Sequence, residues 1–312
     1  MHGRRPRVVA MLNQKGGVGK TTSAVNIGAA LAQAGRRVCM IDLDPQAHLT
    51  LHLGIERDRI ERTVYDVLID PECGAEEALV LGARPNLDAI LAEVDLAGAE
   101  TELASRPDRQ SILRSKFEPL RGRYDAVFID CPPSLGLLTL NALALATEIF
   151  VPMQAHFLAL QGVGRLLETV GLVCRSVNPE LRVSGIILCM HEGQTTLARE
   201  IVADLDAFFE AARGQRVPWR DCRVLRPPIR RNIKVAEAPS FGNTVFDYAP
   251  WCPGALDYQK LARHLAEAWD AETRPAAIVE PKAAPAVDAG SPSRAAAGAT
   301  KAGEPVEQHE DT

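Results

Sequence analysis

Apolar residues in this chain gather into short unbroken runs, separated by longer stretches where they recur with helical spacing. Val8-Val9-Ala10-Met11-Leu12 is the first run and reads as a buried strand. A Gly-rich turn and the helical stretch Thr21 to Ala34 follow, and Gly35 closes that helix before Val38-Cys39-Met40-Ile41 begins the next strand. Further strand runs are Ala126 to Ile129, Glu148 to Val151 and Val183 to Cys189, with helical patterns over Leu137 to Ala146 and Leu158 to Ser176. Leu256 to Trp269 has the apolar stripe of a closing amphipathic helix. Residues 60 to 120 are less legible and show several short helical pieces with one candidate strand, Leu87 to Leu91. Repeated strand–helix–strand units with continuously apolar strands predict an α/β fold. The sheet is doubly wound and mostly parallel, with helices on both faces.

This patterning stops near residue 273. From there to residue 312 nineteen of forty residues are Ala, Pro or Gly and none is aromatic. The expectation is one domain over residues 1–272 and a disordered tail over 273–312. Elsewhere the composition is ordinary for a globular chain, at 46% hydrophobic and 24% charged. The longest apolar candidate, Leu137 to Met153, is broken by Asn141 and Glu148, and Val8 to Leu12 is too short for a signal peptide. Seven cysteines without a CxxC pair argue for a reducing cytoplasm and against a disulfide framework.

The first strand-to-helix turn carries the candidate chemistry. Lys15-Gly16-Gly17-Val18-Gly19-Lys20-Thr21-Thr22 has the glycines that let backbone N–H groups cradle phosphate oxygens at the positive end of a helix. Lys20 supplies a cation to the terminal phosphates, and the Thr21 hydroxyl is placed for Mg²⁺. The GxxxxGK[ST] pattern fails once, at Gln14, and a lysine follows at 15. Asp130 follows the strand run Ala126 to Ile129, and Asp42 and Asp44 close the second strand. Carboxylates at strand carboxyl ends are where doubly wound sheets bind ligands.

A lysine at this place in the loop is the signature of the deviant Walker A group, and the chain resembles the ParA/MinD superfamily of P-loop NTPases. The resemblance is to ParA chromosome and plasmid partition ATPases in particular. It is carried by KGGVGKTT (15–22), DLDPQAHLT (42–50), DLAGAE (95–100), YDAVFIDCPPSLGLLTLNAL (124–143) and EAPSFG (237–242). It implies that Asp130 holds Mg²⁺ partly through water, that Asp44 positions the hydrolytic water, and that Asp42 supports them. It also implies that Lys15 crosses a two-fold interface to the partner subunit's ATP, so that dimerisation follows nucleotide binding. Asn232, beside Arg230, corresponds to the family's contact near the adenine. Arg230 stands where proline is usual. His156-Phe157-Leu158 replaces a common Glu-Tyr-Tyr run, and His191-Glu192 a Tyr-Asp pair.

Cys131 beside Asp130 raises the iron–sulfur chemistry of nitrogenase-type iron proteins, which share the superfamily, but no second cysteine has supporting context. Residues 213–234 hold eight Arg or Lys and one acid, Asp221, in a chain of net charge −5. Lys234 matches a basic position that the family uses for sequence-independent DNA binding, and Arg223, Arg226 and Arg231 join it as candidate phosphate contacts. The composite expectation is a slow ATPase using ATP and Mg²⁺, dimeric with ATP, cytoplasmic and nucleoid-associated. It would bind duplex DNA without sequence preference, with a ParB-like activator, and drive chromosome or plasmid partition. The alternatives are an orphan ParA-like ATPase positioning a non-DNA cargo, a MinD-like membrane regulator and a metabolic ATP-using enzyme. Prolines at 281, 285, 292 and 305 and the missing aromatics argue against the membrane helix that a MinD-like regulator needs.

Overall fold

Successive residues of a buried strand face opposite sides of a sheet, and here both sides are covered. The computed structural model describes residues 6–156 and 159–273. Its first half runs β1 (Arg7–Met11), α1 (Lys20–Gln33), β2 (Val38–Asp42), α2 (His48–Leu53), α3 (Val64–Ile69), β3 (Leu79–Arg84), β4 (Leu87–Ile90), α4 (Leu96–Leu103), α5 (Ile112–Phe117) and β5 (Ala126–Asp130). The second half runs α6 (Leu137–Leu145), β6 (Glu148–Met153), α7 (Ala159–Ser176), β7 (Arg182–Leu188), α8 (Thr196–Ala212), β8 (Arg223–Leu225), α9 (Ile233–Glu237), α10 (Val245–Tyr248) and α11 (Pro253–Thr273). Among the described residues the sheet has eight strands in the order β3-β4-β2-β5-β1-β6-β7-β8. All pairings are parallel except β3 with β4.

The alternation of the strands divides the apolar residues into two cores. Val8, Ala10, Cys39, Ile41, Val127 and Ile129 pack on one face with α3 to α8. Val9, Met11, Val38, Met40, Phe128 and Phe150 pack on the other, under α1 and α11. The expected doubly wound α/β sheet is therefore the observed one.

Three local readings change. β3 has no strand signature in the sequence, because its burial alternates poorly and Gly82 (φ +62°) lies where its register with β4 shifts. β8 has only three residues, too few to carry a period. α11 starts at Pro253, whose missing N–H costs nothing in a first turn, and runs on through Thr273. The tail expected beyond it lies outside the described residues. Among those residues no helix is long and apolar enough to cross a membrane.

Candidate functional site

The carboxyl ends of β1, β2 and β5 lie side by side: Met11 pairs with Asp130, and Asp130 with Asp42. The chain leaves β1 through the glycine loop, with Gly17 (φ +70°) and Gly19 (φ +94°) in left-handed conformations. A Cβ on Gly19 would also stand 3.2 Å from the Cys189 sulfur, so both backbone and packing require glycine there. Gly19 occupies the N-cap of α1 and provides no side-chain cap. The first N–H groups of that 14-residue helix therefore have no capping side chain, and its dipole adds positive potential at the same place.

Several polar side chains around this loop are buried. Lys20 is 7% exposed, and its ammonium donates to the Lys15 carbonyl at 3.3 Å. The Thr21 hydroxyl donates to Asp130 Oδ2 at 2.6 Å. Asp130 Oδ1 is buried without any partner. Burial and the facing Asp42 push the Asp130 carboxyl far above the usual carboxylate range, against the opposing pull of Thr21 and Lys20. Burial raises Asp42 to about 6, while its oxygens accept from Thr50 N, Thr50 Oγ1 and Asp44 N. Asp42 is thus a framework carboxylate that fixes the turn carrying Asp44. Asp44 is 7% exposed and accepts from Gln46 N at 3.0 Å.

Lys20, Thr21 and Asp44 line a cavity of about 610 Å³. One wall is Gly16, Gly17, Gly19, Lys20, Thr21 and Thr22; Asp44, His48 and His52 form a second; Met190, Ile229, Arg230, Asn232 and Pro239 form a third. Lys15 and Val18 line a different, neighbouring cavity of about 240 Å³. A nucleotide fits the large one: it offers N–H groups and a lysine for phosphates, and an apolar wall for a base.

The donor set also fits Mg²⁺. Among the described residues no group of three or more His, Cys, Asp or Glu can hold a metal, so the protein supplies no closed cage. Mg²⁺ characteristically takes one or two protein oxygens and completes its shell with phosphate and water. The orphaned Oδ1 of Asp130 and the Thr21 hydroxyl are the oxygens that would hold it. A cation there would offset the cost of a buried carboxylate.

Sequence reasoning passed over several wall residues. Cys189 and Tyr258 both meet the Ser23 hydroxyl, at 3.4 and 3.1 Å. Tyr258 arrives from α11, more than two hundred residues downstream, and no local pattern marks it. His52 is 1% exposed, and its Nε2 has no partner. Cys131 is a buried thiol raised above its ordinary value by desolvation, with no metal-ligand grouping around it among the described residues.

The predicted base and DNA contacts are placed less simply. Arg230 lines the cavity, but its guanidinium grips the buried Asp257 through Nε (2.8 Å) and Nη2 (2.7 Å). Asn232 accepts from Lys234 N at 2.9 Å and so caps α9. Along the basic strip Arg226 pairs with Asp206, Arg231 with Glu192 and Lys234 with Glu237. Arg213 pairs with Glu210 and Arg220 with Asp221. Arg223 opens β8 and lines a cavity with Glu148 and Arg182, the first residues of β6 and β7. In register Arg223 stands opposite Gly185, which pairs with Phe150 and through it with Met11 at the end of β1.

The comparisons agree with this geometry. An AAA domain family model matches residues 6–183. The sporulation initiation inhibitor protein Soj of Bacillus subtilis is 40% identical over 260 residues, covering 83% of this chain and 98% of Soj. The chromosome partitioning protein ParA of Caulobacter vibrioides is 43% identical over 261 residues, covering 83% and 93%. The chain belongs to the ParA/Soj family of P-loop ATPases. Among solved structures, a cobyrinic acid a,c-diamide synthase from Mycobacterium smegmatis with bound ATP analog and magnesium superposes with TM-score 0.70 at 37% identity. It covers 86% of this chain and 97% of that one. An ATP complex of a substituted Cyanothece McdA has TM-score 0.71 at 22% identity, covers 86% and 98%, and shows the shared fold alone. In this ParA/Soj-family chain the glycine loop, Thr21 and Asp44 line one cavity, Asp130 is buried and bonded to Thr21, and Lys15 lines the neighbouring cavity.

Proposed function

We propose that this chain is a ParA-type ATPase that binds ATP with Mg²⁺, dimerises in that state and holds duplex DNA through phosphate contacts. A ParB-like partner stimulates hydrolysis, and the cycle moves a chromosome or plasmid at the nucleoid in the cytoplasm. Residues 1–272 form the ATPase unit, with residues 273–312 as an appended tail. The observation that carries the reading is the hydrogen bond from half-buried Thr21 to buried Asp130, whose other carboxylate oxygen is unsatisfied. Lys20, Thr22 and the loop N–H groups hold the phosphates, and Asn232 stands at the base. Mg²⁺ neutralises phosphate charge when bound. Asp44 orients water for attack on the terminal phosphate, and Lys15 completes the site of a second subunit. Arg223, at the start of β8, and Arg226, Arg231 and Lys234, beyond its carboxyl end, supply the DNA contacts.

A second reading, an amide-forming synthetase, is favoured by the name of the Mycobacterium smegmatis structure. One experiment separates the two: ATP turnover and DNA retention are measured with and without ATP and a ParB-like protein. Partition predicts slow basal turnover and DNA binding only with ATP, falling steeply with salt. Equal DNA affinity in apo, ADP and ATP forms rejects it, and fast turnover with an acid and an amide donor alone establishes the synthetase.

A further inference from the structure

The neighbouring cavity, of about 240 Å³, lies on the other side of the glycine loop. Lys15, His156, Gln161 and Arg165 line it above Met153 and Leu166, and no Asp or Glu appears among its described lining residues. The Lys15 ammonium stands 3.2 Å from His156 Nε2, its one side-chain partner among the described residues. An ammonium can only donate a hydrogen bond, so this contact requires Nε2 to accept, with the ring neutral and its proton on Nδ1. The two residues are 141 positions apart, and the sheet brings them together by placing the ends of β1 and β6 side by side.

We infer that His156 is a positioning residue for Lys15: the neutral imidazole holds the ammonium on its own subunit, and protonation releases it. This rests on the cross-subunit reading of Lys15. To reach a partner's nucleotide Lys15 must leave His156, so the tether opposes dimerisation. An imidazolium has no lone pair to offer and repels the ammonium. The charged groups facing His156 are Lys15 from the loop and Arg165 from α7, both cationic. The other polar lining residues, Asn13, Gln14, Gln154 and Gln161, are neutral, so no carboxylate compensates for the added charge.

The test titrates the full chain with a non-hydrolysable ATP analogue and Mg²⁺ and follows dimerisation by light scattering near pH 8 and near pH 6. At the higher pH, His156→Ala should dimerise at an analogue concentration about five-fold lower than wild type, the size of one ordinary intramolecular hydrogen bond. Near pH 6 the wild-type midpoint should move down to that of the variant. His156→Gln, whose amide oxygen accepts but does not titrate, should keep the wild-type pH 8 midpoint at both values. An unchanged midpoint in His156→Ala, or the same pH response in wild type and His156→Gln, overturns the tether. Lys15→Gln separates the two failures. If it dimerises like wild type, the cross-subunit role itself is wrong and the tether falls with it. If it stays monomeric while His156→Ala matches wild type, only the tether is wrong.

Discussion

Two parts of this molecule are rich in cations, and the structure treats them in opposite ways. The strip over residues 213–234 carries eight basic residues and one acid, yet six of its eight basic side chains sit in ion pairs. At the glycine loop the cations are fewer, but neither Lys15 nor Arg165 has a carboxylate partner among the described residues. Near the loop, Asp130 Oδ1 at the end of β5 and His52 Nε2 in α2 are left unsatisfied in buried surroundings. Unpaired buried groups cost free energy, and a fold retains them where a ligand completes them or where neighbours tolerate them. Exposed ion pairs contribute little to stability and are readily exchanged for other partners. Net charge along a sequence therefore says less about where ligands bind than the count of partners in space.

The largest test of the contrast is Lys20→Ala. It should weaken ATP·Mg²⁺ binding by at least about 100-fold, because it removes a buried cation facing the phosphates; calorimetry showing wild-type affinity would remove the loop from the site. Asp44→Ala comes next. It should bind nucleotide normally but lose roughly 100-fold in partner-stimulated turnover, since water positioning acts in the chemical step. A phosphate-release assay at saturating ATP checks this.

His52 sharpens the comparison through stability. Burial is the main cause that lowers its imidazole to about 4 from 6.5, so the unfolded chain binds the proton more readily. The neutral ring is fully tolerated above pH 6.5. Between pH 6.5 and about 4 this residue should withdraw up to about 3 kcal/mol of stability. Thermal melts of His52→Leu should lack that part of the acid loss, and an identical acid slope in both proteins would refute the assignment.

The smallest effect belongs to the strip. Glu237 holds the Lys234 ammonium at 2.8 Å, and the pair raises the lysine and lowers the acid from their ordinary values. Glu237→Gln should strengthen ATP-dependent DNA binding about two- to three-fold by freeing that charge, whereas Lys234→Glu should weaken it on all sequences alike. Fluorescence anisotropy across a salt series reads both. If neither variant moves the affinity, the DNA face lies elsewhere.

Much of the candidate site is legible from local sequence, because its central parts follow strands directly. The glycine loop, Thr21, Asp44 and Asp130 each stand within a few residues of an apolar run whose carboxyl end must face the cavity. The basic strip misleads for the converse reason. The acids that pair with Arg226, Arg230, Arg231 and Lys234 are Asp206, Asp257, Glu192 and Glu237, and all lie outside the strip. Arg223 starts β8 and Arg226 follows its end, so only a three-residue strand separates these two basic positions.

The strand–helix alternation and the phosphate chemistry were determined in the sequence alone, since both rest on local spacing: continuous apolar runs, helical periods, and glycines where φ is positive. Tertiary structure alone decided which charges remain unpaired. Lys15 meets His156, Arg230 meets Asp257, and Tyr258 reaches Ser23 beneath the loop. Each pair joins distant strands or helices. Their meeting follows from the strand order, in which β1 lies between β5 and β6, and no linear window contains that order.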